Sequence, residues 1–264
     1  MRLYVRTAKK IVLVFSVLCL VWLLGKGFSH PSVRVQSIEI EGTTTIDPEL
    51  VKQVLQNELD GTNMFFFPKD SIFWYSRSNL GERLRESFPQ IRDADVSGFK
   101  TVSVDIRERT LKAKFCQESE CYKINAEGIA FDRIADDKKN MTVFENRAID
   151  RITKLPARIF EPNLFERMYT TIEELGEENI AIKNVTYFDP LLVSFEDSMG
   201  FRIISRPDYE PSYIVSLLRE LKSLKQFAYD KDQKKFDADL RYINIRYGTR
   251  ILYCRRSECA VHYR

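Results

Sequence analysis

From Ile11 to Gly25 the chain reads IVLVFSVLCLVWLLG, fifteen residues without a charge. A run that is apolar all round does not make the surface helix of a water-soluble domain. A spanning helix needs about 20 residues, with a range of roughly 17–25. The run reaches about 18 residues when Lys26 snorkels and Phe28 sits at the interface. Arg2, Arg6, Lys9 and Lys10 precede it, which puts the N-terminus in the cytoplasm and the bulk of the chain outside. The following GKGFSHPS carries Lys26 where a signal-peptide cleavage region has small neutral residues. The expectation is a cytoplasmic basic tail over 1–10 and a single retained transmembrane helix over 11–28.

Charge divides the chain at the same place. Residues 1–30 hold five basic groups and no acid, out of 41 Lys plus Arg and 38 Asp plus Glu in 264 residues. The remainder therefore carries 36 basic against 38 acidic groups. The basic excess is a property of the N-terminus and argues against a nucleic-acid partner. The only histidines are His30 and His262, which leaves little for a His-based triad or a His-rich metal site. With 44% hydrophobic and 30% charged residues, this is a folding sequence rather than a disordered or multispan one.

Four of the five cysteines form two equally spaced pairs, Cys116-QESE-Cys121 and Cys254-RRSE-Cys259. Each pair brackets four polar residues between β-like runs, at the mouth of a hairpin with a four-residue loop. Disulfides fit an oxidising exterior. A four-Cys zinc site and free thiols are the alternatives.

Beyond residue 31, Ser32 to Glu41 alternates as a half-buried strand. Asp47-Pro48 opens a helix with Leu50, Val51, Val54, Leu55 and Leu59 on its apolar side. A second helix covers Asn79 to Ser87. Ile91 to Val96 and Thr101 to Arg107 are strands joined near Gly98. The order β-α-α-β-β makes a small α+β unit over 32–110. Residues 111–264 read as a mainly antiparallel β domain with two helices, Leu164 to Leu175 and Pro211 to Phe227. Strands cover Ile180–Phe188, Leu191–Phe195, Phe201–Ser205, Leu240–Ile245, Thr249–Cys254 and Cys259–Tyr263.

VRVQSIEIEG (33–42), Gly61-Thr-Asn-Met-Phe65, FPQIRDADVSGF (88–99) and Arg107-Glu108-Arg109 occur in an order that resembles the FtsQ-type POTRA domain of the bacterial division proteins FtsQ and DivIB. Tyr122 to Phe131, Asp239-Leu-Arg-Tyr242 and the strand to Tyr253 are similar to that family's β domain. Departures are Phe99-Lys100 in place of a frequent Trp-Pro, Asn125 in place of Asp, an aromatic insertion over Phe66 to Arg77, and extra chain after Cys254. The resemblance implies a bitopic, non-enzymatic scaffold at the division septum of the bacterial plasma membrane. It implies strand addition of FtsB-like and FtsL-like coiled-coil partners at Arg241, Tyr242, Tyr247, Thr249, Ile251 and Tyr253. It implies no cofactor, no metal, no small-molecule substrate and no catalytic residue. Two other readings are a POTRA-bearing protein of envelope assembly or secretion, and an anchored cell-wall hydrolase.

No phosphate loop, Gly-x-Ser-x-Gly elbow or His-Glu-x-x-His appears. Glu173, Glu174, Glu177 and Glu178 read as solvated surface. Lys222, Lys225, Lys231, Lys234 and Lys235 read as helix-end charge or as a contact for an acidic partner or lipid. Phe65, Phe66, Phe67, Phe73, Trp74 and Tyr75 read equally as core and as a surface resting on a membrane or partner.

Overall fold

The computed structural model describes residues 15–16, 22, 30–63, 67–72, 75–134, 141–224, 239–248 and 250–255. The chain divides into two compact units, Met1–Arg109 and Thr110–Arg264.

In the first unit His30 caps a single 3-10 turn, Pro31–Val33. Strand β1 therefore starts at Ser37 (Ser37–Glu41) rather than at Ser32, since the Val35 N–H is spent on the Asp70 carbonyl. Helix α1 (Pro48–Leu59) starts where Asp47 accepts the Glu49 N–H at 2.9 Å, with proline in its first turn. Val51, Leu55 and Leu59, four apart, are its buried stripe, whereas Leu50 is 49% exposed. Two short strands, β2 (Thr62–Asn63) and β3 (Phe67–Pro68), pair antiparallel. Helix α2 (Arg77–Ser87) begins two residues earlier than the apolar pattern indicates, because the Ser76 hydroxyl accepts the Asn79 N–H. Strands β4 (Ile91–Gly98) and β5 (Thr101–Glu108) pair antiparallel, and β5 pairs in parallel with β1, giving the order β1-β5-β4. Val102, Val104 and Ile106 pack with Val51, Leu55, Leu80 and Leu84 between sheet and helices. Gly81 lets α2 approach β4: a Cβ there would lie 2.8 Å from the Ala94 carbonyl oxygen.

One carboxylate ties the loop before α1 to the end of β5. Glu108 accepts hydrogen bonds from the Thr44, Thr45 and Ile46 N–H groups at 2.7, 3.0 and 3.1 Å and from both threonine hydroxyls. Burial opposes its ionisation, but the Thr45 hydroxyl and the three backbone donors outweigh burial and bring its pKa down to about 2.

Among its described residues the second unit forms one ten-stranded sheet in the order β10-β8-β7-β6-β9-β11-β12-β13-β14-β15. Its strands are β6 (Ala113–Gln117), β7 (Glu120–Ile124), β8 (Ile129–Arg133), β9 (Val143–Asn146), β10 (Ala157–Arg158), β11 (Ile182–Asp189), β12 (Leu192–Asp197), β13 (Arg202–Ser205), β14 (Leu240–Tyr247) and β15 (Arg250–Arg255). Helix α3 (Pro162–Glu177) packs against β11 and against helix α4 (Pro211–Ser223). Phe144, Phe160 and Phe165 form the aromatic centre of the core, with ring centroids 5.1 to 5.9 Å apart. Arg219 and Lys222 of α4 reach Glu178, just past the end of α3, at 2.7 and 2.9 Å. Lys222 first and Arg219 second hold that carboxyl below its ordinary range. Glu178 is therefore a tie between helices as well as a surface acid.

The fold class expected from sequence needs one refinement and one correction. The sheet of the second unit is mixed: most neighbouring strands pair antiparallel, but β6 with β9, β9 with β11, and β13 with β14 run parallel. The crossings between these strands, two of them carrying α3 and α4, return the chain in the same direction. The expected single N-terminal transmembrane helix is not found. Among the described residues no helix is long and apolar enough to cross a membrane. The longest with described bounds, α3, has 16 residues and a polar face; at 1.5 Å per residue it falls short of the roughly 30 Å hydrocarbon layer. Of residues 11–28 only Phe15, Ser16 and Trp22 are described. The bulk of that expectation, like the tail 1–10, lies outside the described residues, as does the expected terminal strand Cys259–Tyr263.

Candidate functional site

The six residues singled out for partner binding lie on or between the last two described strands. β14 runs parallel to β13, with Tyr242 opposite Arg202 and Ile243 opposite Ile203. β15 folds back antiparallel on β14, with Tyr242 opposite Cys254, Ile243 opposite Tyr253, Asn244 opposite Leu252 and Tyr247 opposite Arg250. Only Gly248 and Thr249 separate the strands, and Gly248 has φ +64°, the left-handed backbone that a two-residue hairpin turn requires.

Register explains which side chains face water. From Asn244 to Tyr247 β14 advances three residues while β15 moves only two, from Leu252 to Arg250. The extra residue is a bulge, which raises the local twist and re-aims the side chains beyond it. The Asn244 side-chain oxygen fixes it by accepting both the Arg246 N–H and the Arg246 Nε–H at 3.2 Å. The Tyr209 hydroxyl donates to the Arg246 carbonyl at 3.0 Å. Before the bulge Ile243 and Asn244 are buried, and so is Ile245 within it. Past it Tyr247 is 55% exposed, and Arg246 lies beside its ring, guanidinium carbon 5.4 Å from the centroid.

Of the expected contact residues, Tyr247 and Tyr253 (41%) are exposed. Arg241 and Tyr242 are half-buried, and Ile251 packs on the core. Thr249 lies outside the described residues. The structure adds Leu252, 50% exposed. A signal for it was present: Ile251, Leu252 and Tyr253 are three apolar residues in succession. A strand alternates faces, so Leu252 must point away from the face that Ile251 and Tyr253 share. Residues 240–255 also hold Arg241, Arg246, Arg250 and Arg255 and no acid. The hairpin thus offers two aromatic rings and a leucine on an arginine-rich strand pair.

The first cysteine pair sits at a hairpin turn. Cys116 and Cys121 face each other across β6 and β7 with Cα atoms 4.1 Å apart and are joined by a disulfide. Pairing continues outward to Gln117 and Glu120, so the loop has two residues, Glu118 and Ser119, rather than the expected four. Glu118 takes the left-handed conformation at φ +56°. Beside this turn the Tyr122 hydroxyl donates to Glu120 at 2.6 Å. That bond, with Arg133 and Arg151 nearby, lowers the pKa of Glu120, and the same bond raises that of Tyr122. Cys254 is also disulfide-bonded; Cys259 lies outside the described residues.

A cleft of about 330 Å³ opens in the first unit between β1 and α1, lined by Val35, Gln36, Lys52, Gln56, Asp60 and Asp70. Of its two carboxylates, Asp70 is taken by Arg34 in a two-oxygen pair at 3.0 and 2.8 Å. Among the described residues no group of three or more His, Cys, Asp and Glu is placed to hold a metal.

No protein-family model matches the chain, and no curated protein matches it.

Proposed function

We propose that this protein is a non-enzymatic scaffold of the bacterial division machinery, similar in role to FtsQ and DivIB. Its bulk lies outside the plasma membrane at the septum. The β14–β15 hairpin receives an extended segment of FtsB-like and FtsL-like partners and links them to septal wall synthesis. The observation that carries this reading is the exposure of Tyr247, Leu252 and Tyr253 on a strand pair with four arginines and no acid. Exposed aromatics beside arginine are the composition of interface hot spots. The all-basic rim selects a partner segment with acidic residues flanking its apolar ones. A β-α-α-β-β unit followed by a sheet unit ending in this hairpin supports the same reading.

The test is co-purification from membranes of cells that also produce the FtsB-like and FtsL-like proteins, with Leu252→Glu compared with the unmodified chain. A glutamate beside the partner's acids repels, and a surface change of this kind leaves stability within about 0.5 kcal/mol. Loss of both partners with the fold intact is expected. Undiminished recovery of both would contradict the proposal.

A further inference from the structure

The first unit has two unlike ends. At the end where residues 30–36 join it, three stretches distant in sequence are tied together. The Gln36 and Ser37 N–H groups donate to the Lys100 carbonyl, and the Val35 N–H donates to the Asp70 carbonyl. The Ile72 N–H donates to the Val33 carbonyl. Gly98 at the β4–β5 turn, φ +86°, accepts at its carbonyl both the Tyr75 hydroxyl at 2.7 Å and the Arg77 guanidinium at 2.8 Å. The segment that incoming chain joins, the loop before α2 and the β4–β5 turn therefore form one surface.

Phe99 stands at the tip of that turn and is 62% exposed. It is held rather than loose: the Arg77 guanidinium carbon lies 4.6 Å from the centre of its ring. Exposing a phenylalanine forgoes roughly 1.5–3 kcal/mol of burial, and here the backbone beneath it is pinned by two hydrogen bonds. Lys100 follows it in the chain, and Arg77 lies against its ring. The turn is an exposed aromatic ring beside two cations.

Farther along the same sheet lies a row of acids. Glu41, Asp105 and Asp95 stand directly opposite one another across β1, β5 and β4, all exposed. This row lies four residues along β1 from Ser37, about 13 Å at the usual strand rise. Like charges directly opposite on a sheet are unfavourable.

We propose that the Phe99 end of the first unit rests on an anionic lipid bilayer. Phe99 enters the interface between headgroups and acyl chains, as interfacial aromatics do. Lys100 and Arg77 face the headgroup phosphates. The apolar run Ile11–Gly25 joins the unit from this same end, so a lipid occupant is favoured over a soluble one. A bilayer nearby is the one point shared with the proposed function. Neither the β14–β15 hairpin nor a division partner is involved.

The test uses the full chain in partner-free vesicles. Phe99→Trp puts a reporter at the tip, and the parent chain supplies the background of Trp22 and Trp74. In vesicles containing phosphatidylglycerol, the added emission is expected to shift to the blue and to be quenched by lipids brominated near the headgroup. Adding Lys100→Gln should weaken docking about fivefold, the effect of one basic residue near an anionic surface. Quenching of the added indole by aqueous iodide but not by brominated lipid would overturn the proposal. Equal brominated-lipid quenching in pure phosphatidylcholine would overturn the role given to charge. Because no partner is present, this proposal and the division-scaffold reading fail separately.

Discussion

The two units expose apolar side chains in opposite ways. In the first, Phe99 stands at a turn whose carbonyl is clamped from two directions. In the second, three apolar side chains lie along a hairpin re-aimed by a bulge, with Tyr247 past the step in register. A ring on a basic turn suits a fluid, shallow surface. Exposed side chains spaced along paired strands suit an extended polypeptide with its own alternation of side chains. Both are surrounded by arginine and lysine, so the geometry of the apolar groups, rather than the sign of charge, separates the two uses.

The largest expected effect falls on the core of the second unit. Phe165 is buried against Phe144 and Phe160. Phe165→Ala should cost about 3–5 kcal/mol, read as faster hydrogen exchange in β6, β9 and β11. Next comes the tight approach of α2 to β4. Gly81→Ala gains helix propensity but places its methyl 2.8 Å from the Ala94 oxygen. The clash should prevail by about 1–2 kcal/mol, with β4 and α2 losing exchange protection first. Reversed order of these two substitutions would show that the small unit, not the large one, is the more sensitive to packing.

Glu108 gives the third effect, and it depends on pH. Its folded pKa of about 2 lies below its ordinary value of 4.5. Its contribution is therefore fully present above 4.5 and is lost as pH falls from there through about 2. The carboxylate is substantially solvated, so screening reduces the contribution to roughly 1–2 kcal/mol. Glu108→Gln should lower stability by that amount at neutral pH and flatten the acid limb of the first unit's unfolding curve. An unchanged acid limb would show that the Thr44–Ile46 loop does not depend on this carboxylate. The smallest effect on folding is expected from Leu252→Glu, within about 0.5 kcal/mol, since half of that side chain is already in water.

Legibility in the sequence tracked the strength of local signals. Asp47-Pro48 and the spacing of Val51, Leu55 and Leu59 locate α1 because cap, proline and stripe agree. Val102, Val104 and Ile106 locate β5 because one sheet face is buried and the other wet. Strand β9 escaped notice. It has four residues, lies between two parallel neighbours, and includes Asn146, a buried amide that donates to the Ile159 carbonyl at 2.7 Å. Nothing in Val-Phe-Glu-Asn alternates strongly enough to mark it. Its place is set by partners some 30 and 40 residues away in the chain, β6 and β11, and that same placement makes the sheet mixed. At the candidate site the tyrosines were visible as residues but not as surface. The bulge that turns Tyr247 outward comes from cross-strand register and the Asn244 side chain, neither of which is a property of the local sequence. Leu252 was within reach through the Ile-Leu-Tyr run, since strand alternation points it away from Ile251 and Tyr253.

The central claim is that the β14–β15 hairpin is the docking surface. Calorimetric titration of the full chain with the extracytoplasmic part of the FtsB-like partner tests it most directly. The unmodified chain should bind, and Leu252→Glu should weaken binding about 30-fold or more, the scale of a hot-spot loss, while the unfolding transition stays in place. An unaltered Kd for Leu252→Glu would contradict the account.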